Sequence, residues 1–243
     1  ALCLRQGASQ SGALTAAAVW MASGPFLSLA STWHHMAGAA WIPWVVLAGQ
    51  AAFEGGGARR AALFGIALAL QILAGSADMV AMTLVVLAVL VLASFERRSN
   101  RHRPIGWLLP LAGGLGLALA LSAVLWLPTL EMARASARWG LAEGDRTVWS
   151  LHPLMLPEIV LPFSWNRLPL TRGWLMRVLE GREPWLHSFY CGIPVLALVA
   201  AAIAVAPRRR AWEMAILAGA ILVALGHFTP FYRVLVFLVP PLR

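Results

Sequence analysis

The side chains able to do chemistry are gathered into a few stretches of this chain. Residues 129–186 hold Glu131, Glu143, Asp145, Glu158, Glu180 and Glu183, with Arg134, Arg138, Arg146, Arg167, Arg172, Arg177 and Arg182. From Leu130 to Arg138 the pattern is helical. Glu131, Arg134 and Arg138 are spaced i, i+3, i+7 and so share one face. A row of arginines suits a phosphate, because a guanidinium presents paired donors to an oxyanion. The alternative for the same row is an ordinary salt-bridged interfacial helix. Glu158 stands alone in the run from Pro153 to Phe163, where three prolines bar a regular span. An apolar setting favours the protonated carboxyl, so Glu158 could serve as an acid or base. The alternative is pairing with an arginine of the same segment.

Four other places carry polar groups. Asp78 is the only acidic residue between Glu54 and Glu96. A charge at membrane depth is costly and often functional, but at the wet end of a helix Asp78 would only cap a turn. His34 and His35 are neighbours and point in different directions on a helix, which makes a poor metal site and suits a boundary position. His227 follows the apolar run 211–227 and reads as an interfacial hydrogen-bonding residue. Arg233 could contact a lipid phosphate or snorkel to the interface. No phosphate-binding loop, zinc-ligand spacing or trustworthy Ser-His-Asp order is present. Cys3 and Cys191 are expected to be unpaired, and they make no metal site. Gly113-Gly114-Leu115-Gly116 lies in apolar sequence, where it allows close helix packing rather than phosphate binding.

The elements that must position these groups follow from composition. The chain is 60% hydrophobic and 12% charged, against about 25% charged for a soluble domain. All 19 basic residues are arginine. They form no single continuous patch, which argues against nucleic acid despite a net charge of +9. A bilayer core about 30 Å thick needs roughly 20 apolar helical residues. Such runs fall at about 12–32, 37–53, 105–128, 187–206 and 211–227. The stretch 61–95 is too long for one span and slightly short for two; it reads as a tight hairpin of two short helices turning near Asp78, the alternative being one long tilted helix with a polar kink. With Arg5 inside, the loops 54–60, 96–104 and 207–210 also fall inside and hold nine arginines, the positive-inside pattern. The expectation is an all-α, polytopic integral membrane protein with about seven transmembrane helices. It divides into a five-helix part (1–128), an outer interfacial segment (129–186) and C-terminal membrane helices (187–243). Neither Ala1 nor Arg243 looks like a natural terminus, so the chain is expected to be a fragment.

Several stretches together resemble the YfhO-like bacterial membrane proteins of the GT-C glycosyltransferase superfamily. Leu70 to Asp78 is similar to that family's leucine-rich step before Gly-His-Pro-Gln/Glu, although Ser76-Ala77-Asp78 departs from His-Pro-Gln. Trp126-Leu127-Pro128-Thr129-Leu130-Glu131, followed by Ser136 and Arg138, resembles its "LPxxE…S.R" passage. Ser150 to Phe163 resembles its Pro-rich outer segment. Leu225 to Tyr232, continuing to Pro240-Pro241-Leu242-Arg243, resembles its "G.yTPlY…iP.l..fR" passage. The resemblance implies a multi-pass protein of the bacterial plasma membrane. Its activity would be transfer of a sugar from a polyprenyl-phosphate donor to an envelope glycan or polymer, among membrane lipids. Glu131 and Glu158 would be the catalytic candidates; Arg134, Arg138, Asp78, His227 and Arg233 would bind substrate. The phosphate would be stabilised with or without a divalent cation, and the family's key acidic residue would lie upstream of Ala1. A transporter or flippase for lipid-linked glycans and a non-catalytic assembly subunit are the alternatives.

Overall fold

The computed structural model describes residues 1–97, 108–136, 150–161, 188–205 and 211–238, with Thr147, Gly173 and Leu186. Among the described residues every regular element is helical. In chain order the α-helices are α1 (Leu2–Arg5), α2 (Gln10–Ala22), α3 (Gly24–Ser28), α4 (Trp33–Gly55), α5 (Ala58–Leu73), α6 (Ala77–Arg97), α7 (Leu108–Leu121) and α8 (Ala123–Ala135). A short 3-10 helix, Pro153–Ile159, follows, then α9 (Ile193–Val205), α10 (Ala211–Ala224) and α11 (Pro230–Leu238). The chain divides into two compact units: 1–20 with 29–139, and 21–28 with 140–243.

The core of the first unit is formed by Val45, Ala52, Phe53, Phe64, Leu68, Ala69, Leu87, Val91 and Ala118, from α4 to α7. Small residues set the helix directions. A β-carbon on Gly38 would lie 3.0 Å from Ser76 and Met79, and one on Gly49 would lie 2.6 Å from Leu87, so α4 and α6 run parallel. Arg60, at the start of α5, lies over Gly55 at the end of α4, while Gln71, near the end of α5, reaches Gly38. Helices α4 and α5 are therefore antiparallel. Ala61 and Gly65 of α5 meet Gly114 and Leu117 of α7 in the same order, so these two run parallel. The four helices alternate in direction, and every connection joins ends on the same side.

This alternation includes the expected hairpin. Helix α5 stops at Leu73, Gly75 turns with φ +83°, and α6 starts at Ala77. The expected count of seven full spans is met only in part. The stretches Gln10–Ser31 and Trp33–Gly55 are long and apolar enough to cross a membrane, and α7 with α8 would be a third if the bent pair is one span. The 23 residues of α4 reach about 35 Å. Helix α5 has 16 residues, α9 has 13 and α10 has 14, which gives about 20–24 Å. These fall short of the bilayer core of about 30 Å.

The run expected over 105–128 is broken instead of straight. Helices α7 and α8 meet at an angle of 75° around Ser122. Side chains occupy the carbonyls there. The Ser122 hydroxyl donates to Ala118 O at 2.7 Å, and Trp126 Nε1–H donates to Leu119 O at 2.9 Å. Such bonds stand in for ladder bonds and allow the sharp bend. Helix α8 then ends at Ala135, with Ser136 extended at φ −93°, ψ 154°.

Candidate functional site

Two polar constellations stand out, one in each unit. The first lies where α4 begins, α5 ends and α6 begins. Gln71 is fully buried. Its Nε2 donates to Gly38 O at 3.0 Å and Thr83 Oγ1 at 2.8 Å, with Met79 O at 3.4 Å. Thr83 Oγ1 donates in turn to Met79 O at 2.6 Å. Three acceptors around one nitrogen fix the orientation of the amide. That orientation leaves Gln71 Oε1 buried without a hydrogen-bond partner among the described residues.

One turn away, His35 Nδ1 lies 2.7 Å from the buried Ser76 Oγ. Asp78 Oδ2 is 3.9 Å from the same nitrogen, beyond hydrogen-bond length. A Ser-His-Asp relay needs the hydroxyl and the carboxylate on opposite ring nitrogens. Here both approach Nδ1, so the trio is not built for nucleophilic catalysis. Its hydrogen bonds tie α4 to the α5–α6 turn, and they leave the Asp78 side chain 53% exposed. The His34 and His35 rings sit 4.1 Å apart. Among the described residues no three His, Cys, Asp or Glu side chains form a group able to hold a metal ion.

The second constellation joins the Pro-rich segment to the end of α10. Leu151 N–H donates to Ala224 O at 2.7 Å, and His227 N–H donates to Ser150 Oγ at 3.3 Å. Gly226 has φ +49°, and a β-carbon there would fall 2.0 Å from Ser150 Oγ. Only glycine permits both this backbone and this approach. The segment then turns into Pro153–Ile159, where Glu158 is buried at 2% exposure. The Phe228 ring is flanked by two imidazoles, His227 at 4.1 Å and His152 at 4.8 Å between centroids.

The candidates from sequence are therefore distributed over both units. Asp78, Glu131 and Arg134 belong to the first; Glu158, His227 and Arg233 belong to the second. Glu131 and Arg134 are exposed on α8, and among the described residues no ion pair joins them. The expected i, i+3, i+7 row is not completed on this helix, because α8 stops at Ala135. Arg138 lies outside the described residues. Arg233 is exposed on α11. Cys3 and Cys191 are both free thiols.

Sequence reasoning passed over Thr83, Ser76, Ser150 and His152. Thr83 was the most legible, since it stands one helical turn after Met79 as the lone polar residue in the apolar run from Met79 to Ala93. Comparison with protein families, characterised proteins and solved structures finds no match for this chain.

Proposed function

We propose that this chain is part of a membrane glycosyltransferase, acting at the outer face of the bacterial plasma membrane. It would transfer a sugar from a polyprenyl-phosphate donor to an envelope glycan or polymer. The observation that carries this is the buried Glu158 on a segment fastened to the His227 turn. Two stretches that resemble motifs of one enzyme superfamily, 77 residues apart at their bonded positions, are joined by hydrogen bonds within one unit. A carboxylate held out of water is a group suited to proton transfer.

In the proposed reaction the acceptor hydroxyl gives its proton to a carboxylate, Glu158 or, as second candidate, Glu131. The new C–O bond forms at the anomeric carbon as the sugar–phosphate bond breaks. The phosphate leaves with the bonding electrons on its oxygen. With Glu158 as base, Arg233 of the same unit would offset that charge; with Glu131, Arg134 and Arg138 would do so, in either case with or without a divalent cation. His227 would add a substrate contact in the first case and Asp78 in the second. Seven spans with the arginine loops inside are the topology that goes with this activity.

The test is transfer of radiolabelled sugar from a polyprenyl-phosphate donor by the reconstituted full-length protein. Glu158→Gln is expected to lower kcat by a factor of about 10²–10⁴, the usual contribution of a general base. Wild-type activity on no envelope acceptor would remove the main support.

A second function has its own supporting features. A transporter or flippase for lipid-linked glycans would use polar groups buried between helices and a broken helix. The Gln71–Thr83 pair and the 75° break at Ser122 are such features. Flipping of a fluorescent lipid-linked glycan in vesicles, without transfer, would favour it.

A further inference from the structure

His152 is held by two independent contacts that leave one nitrogen for a ligand. It adopts an extended backbone just before Pro153–Ile159, and its Nδ1 accepts the Leu154 N–H at 3.2 Å. Its ring and that of Phe228 form a T-shaped pair, with centroids 4.8 Å apart and planes at 77°. The backbone on either side of this contact is pinned as well, by Leu151 N–H to Ala224 O and by His227 N–H to Ser150 Oγ. An Nδ1 that accepts a hydrogen bond carries no proton, so the neutral ring bears its proton on Nε2. That N–H lies on the far edge of the ring from Leu154. Among the described residues it meets no acceptor. The result is a single donor, oriented in advance, on the segment that carries Glu158.

We propose that His152 binds substrate through Nε2–H, donating to a phosphate oxygen of the lipid-linked donor. This rests on the glycosyltransferase proposed above. Phosphate is the fitting acceptor because a neutral N–H bonded to an oxyanion is stronger than one bonded to a neutral oxygen. Preorientation adds to this, since the ring gives up little freedom on binding.

Two substitutions separate the donor from the structural bond to Leu154. Asn at 152 places an amide oxygen where Nδ1 stands, so His152→Asn keeps the acceptor for Leu154 N–H and deletes the donor. Gln places its amide nitrogen near Nε2, so His152→Gln keeps the donor and gives up the cap. Binding of farnesyl phosphate to the purified protein in detergent would be measured by calorimetry. Farnesol and inorganic phosphate serve as comparison probes, and Tm is recorded for each variant. His152→Asn is expected to weaken farnesyl phosphate about tenfold or more, the scale of one hydrogen bond to a charged group, at unchanged Tm. His152→Gln is expected to stay within about threefold of wild type and to melt lower. Farnesol affinity is expected to be the same in all three proteins.

Unaltered farnesyl phosphate binding by His152→Asn would overturn the proposal, as would an equal loss for farnesol or no binding by wild type. Inorganic phosphate bound as tightly as farnesyl phosphate, with the same loss in His152→Asn, would assign the site to free phosphate and overturn the lipid-linked donor as its ligand. The two proposals fail separately. Binding through His152 without any sugar transfer would leave this site standing and remove the transferase. Transfer by His152→Asn at unchanged KM would do the reverse.

Discussion

Gln71 is the residue whose removal the first unit should feel most. It is completely buried, and its Nε2 links α5 to Gly38 of α4 and Thr83 of α6. Interhelical hydrogen bonds between membrane helices are worth about 0.6 kcal/mol on average and up to about 1.7. Truncation also leaves a cavity where the side chain packed. Gln71→Ala is therefore expected to destabilise by about 2–4 kcal/mol, read as a lower melting midpoint in detergent. Gln71→Leu fills the volume and removes the unpartnered Oε1, so it should cost less than Gln71→Ala. A larger loss for Leu would mean that Oε1 has a partner such as a bound water. At this scale Gln71 and Asp78 were visible in the sequence as polar interruptions of apolar runs. The bond from His35 to Ser76 was not, because it joins residues 41 apart through a helix reversal that neither residue encodes alone.

Helix packing gives a prediction in which neighbouring residues have opposite signs. Gly113 and Gly114 stand side by side in α7, in the glycine cluster expected to serve close packing. Only Gly114 does so. A β-carbon there would lie 2.5 Å from Phe64 Cδ1 and 2.8 Å from Ala61 O, whereas one at Gly113 would meet nothing within 4 Å. Gly114→Ala must push α7 away from α5, and overpacking of this kind costs about 1–3 kcal/mol. Gly113→Ala should be neutral or stabilising by up to about 1 kcal/mol, since glycine is the poorer helix former. Thermal unfolding of the two variants in one detergent checks both signs. The cluster itself was legible, but its facing residue was not, because helix phase is set by what packs on the other side. The same holds for α8. Neither its start at Ala123, inside the run read as one span, nor its end at Ala135 followed from pattern, so the Arg138 row could not be judged from spacing.

Over the whole molecule, the alternation of α4 to α7 makes the strongest claim about membrane topology. The α5–α6 turn, with Ser76 in it and Asp78 just after it, lies at the end of the four-helix array opposite the α4–α5 loop, which leads into Arg59 and Arg60 at the start of α5. If this array crosses the bilayer, these two loops emerge on opposite faces. The positive-inside pattern then assigns the arginine loop to the cytoplasm. The short α5 is the weak point, since about 24 Å of helix must cover a core of about 30 Å. Local thinning of the bilayer and snorkelling of Arg59 and Arg60 can absorb such a mismatch, at fractions of a kcal/mol per Å. Single cysteines at two exposed positions test the crossing directly, in a background with Cys3 and Cys191 replaced. Ala77→Cys is expected to react with a membrane-impermeant maleimide on intact cells. Ala58→Cys is expected to react only after permeabilisation. Equal labelling of both from outside would mean that α5 does not cross. The 61–95 run would then dip into one leaflet, and the loop that follows α6 could no longer be assigned to the cytoplasm by counting crossings.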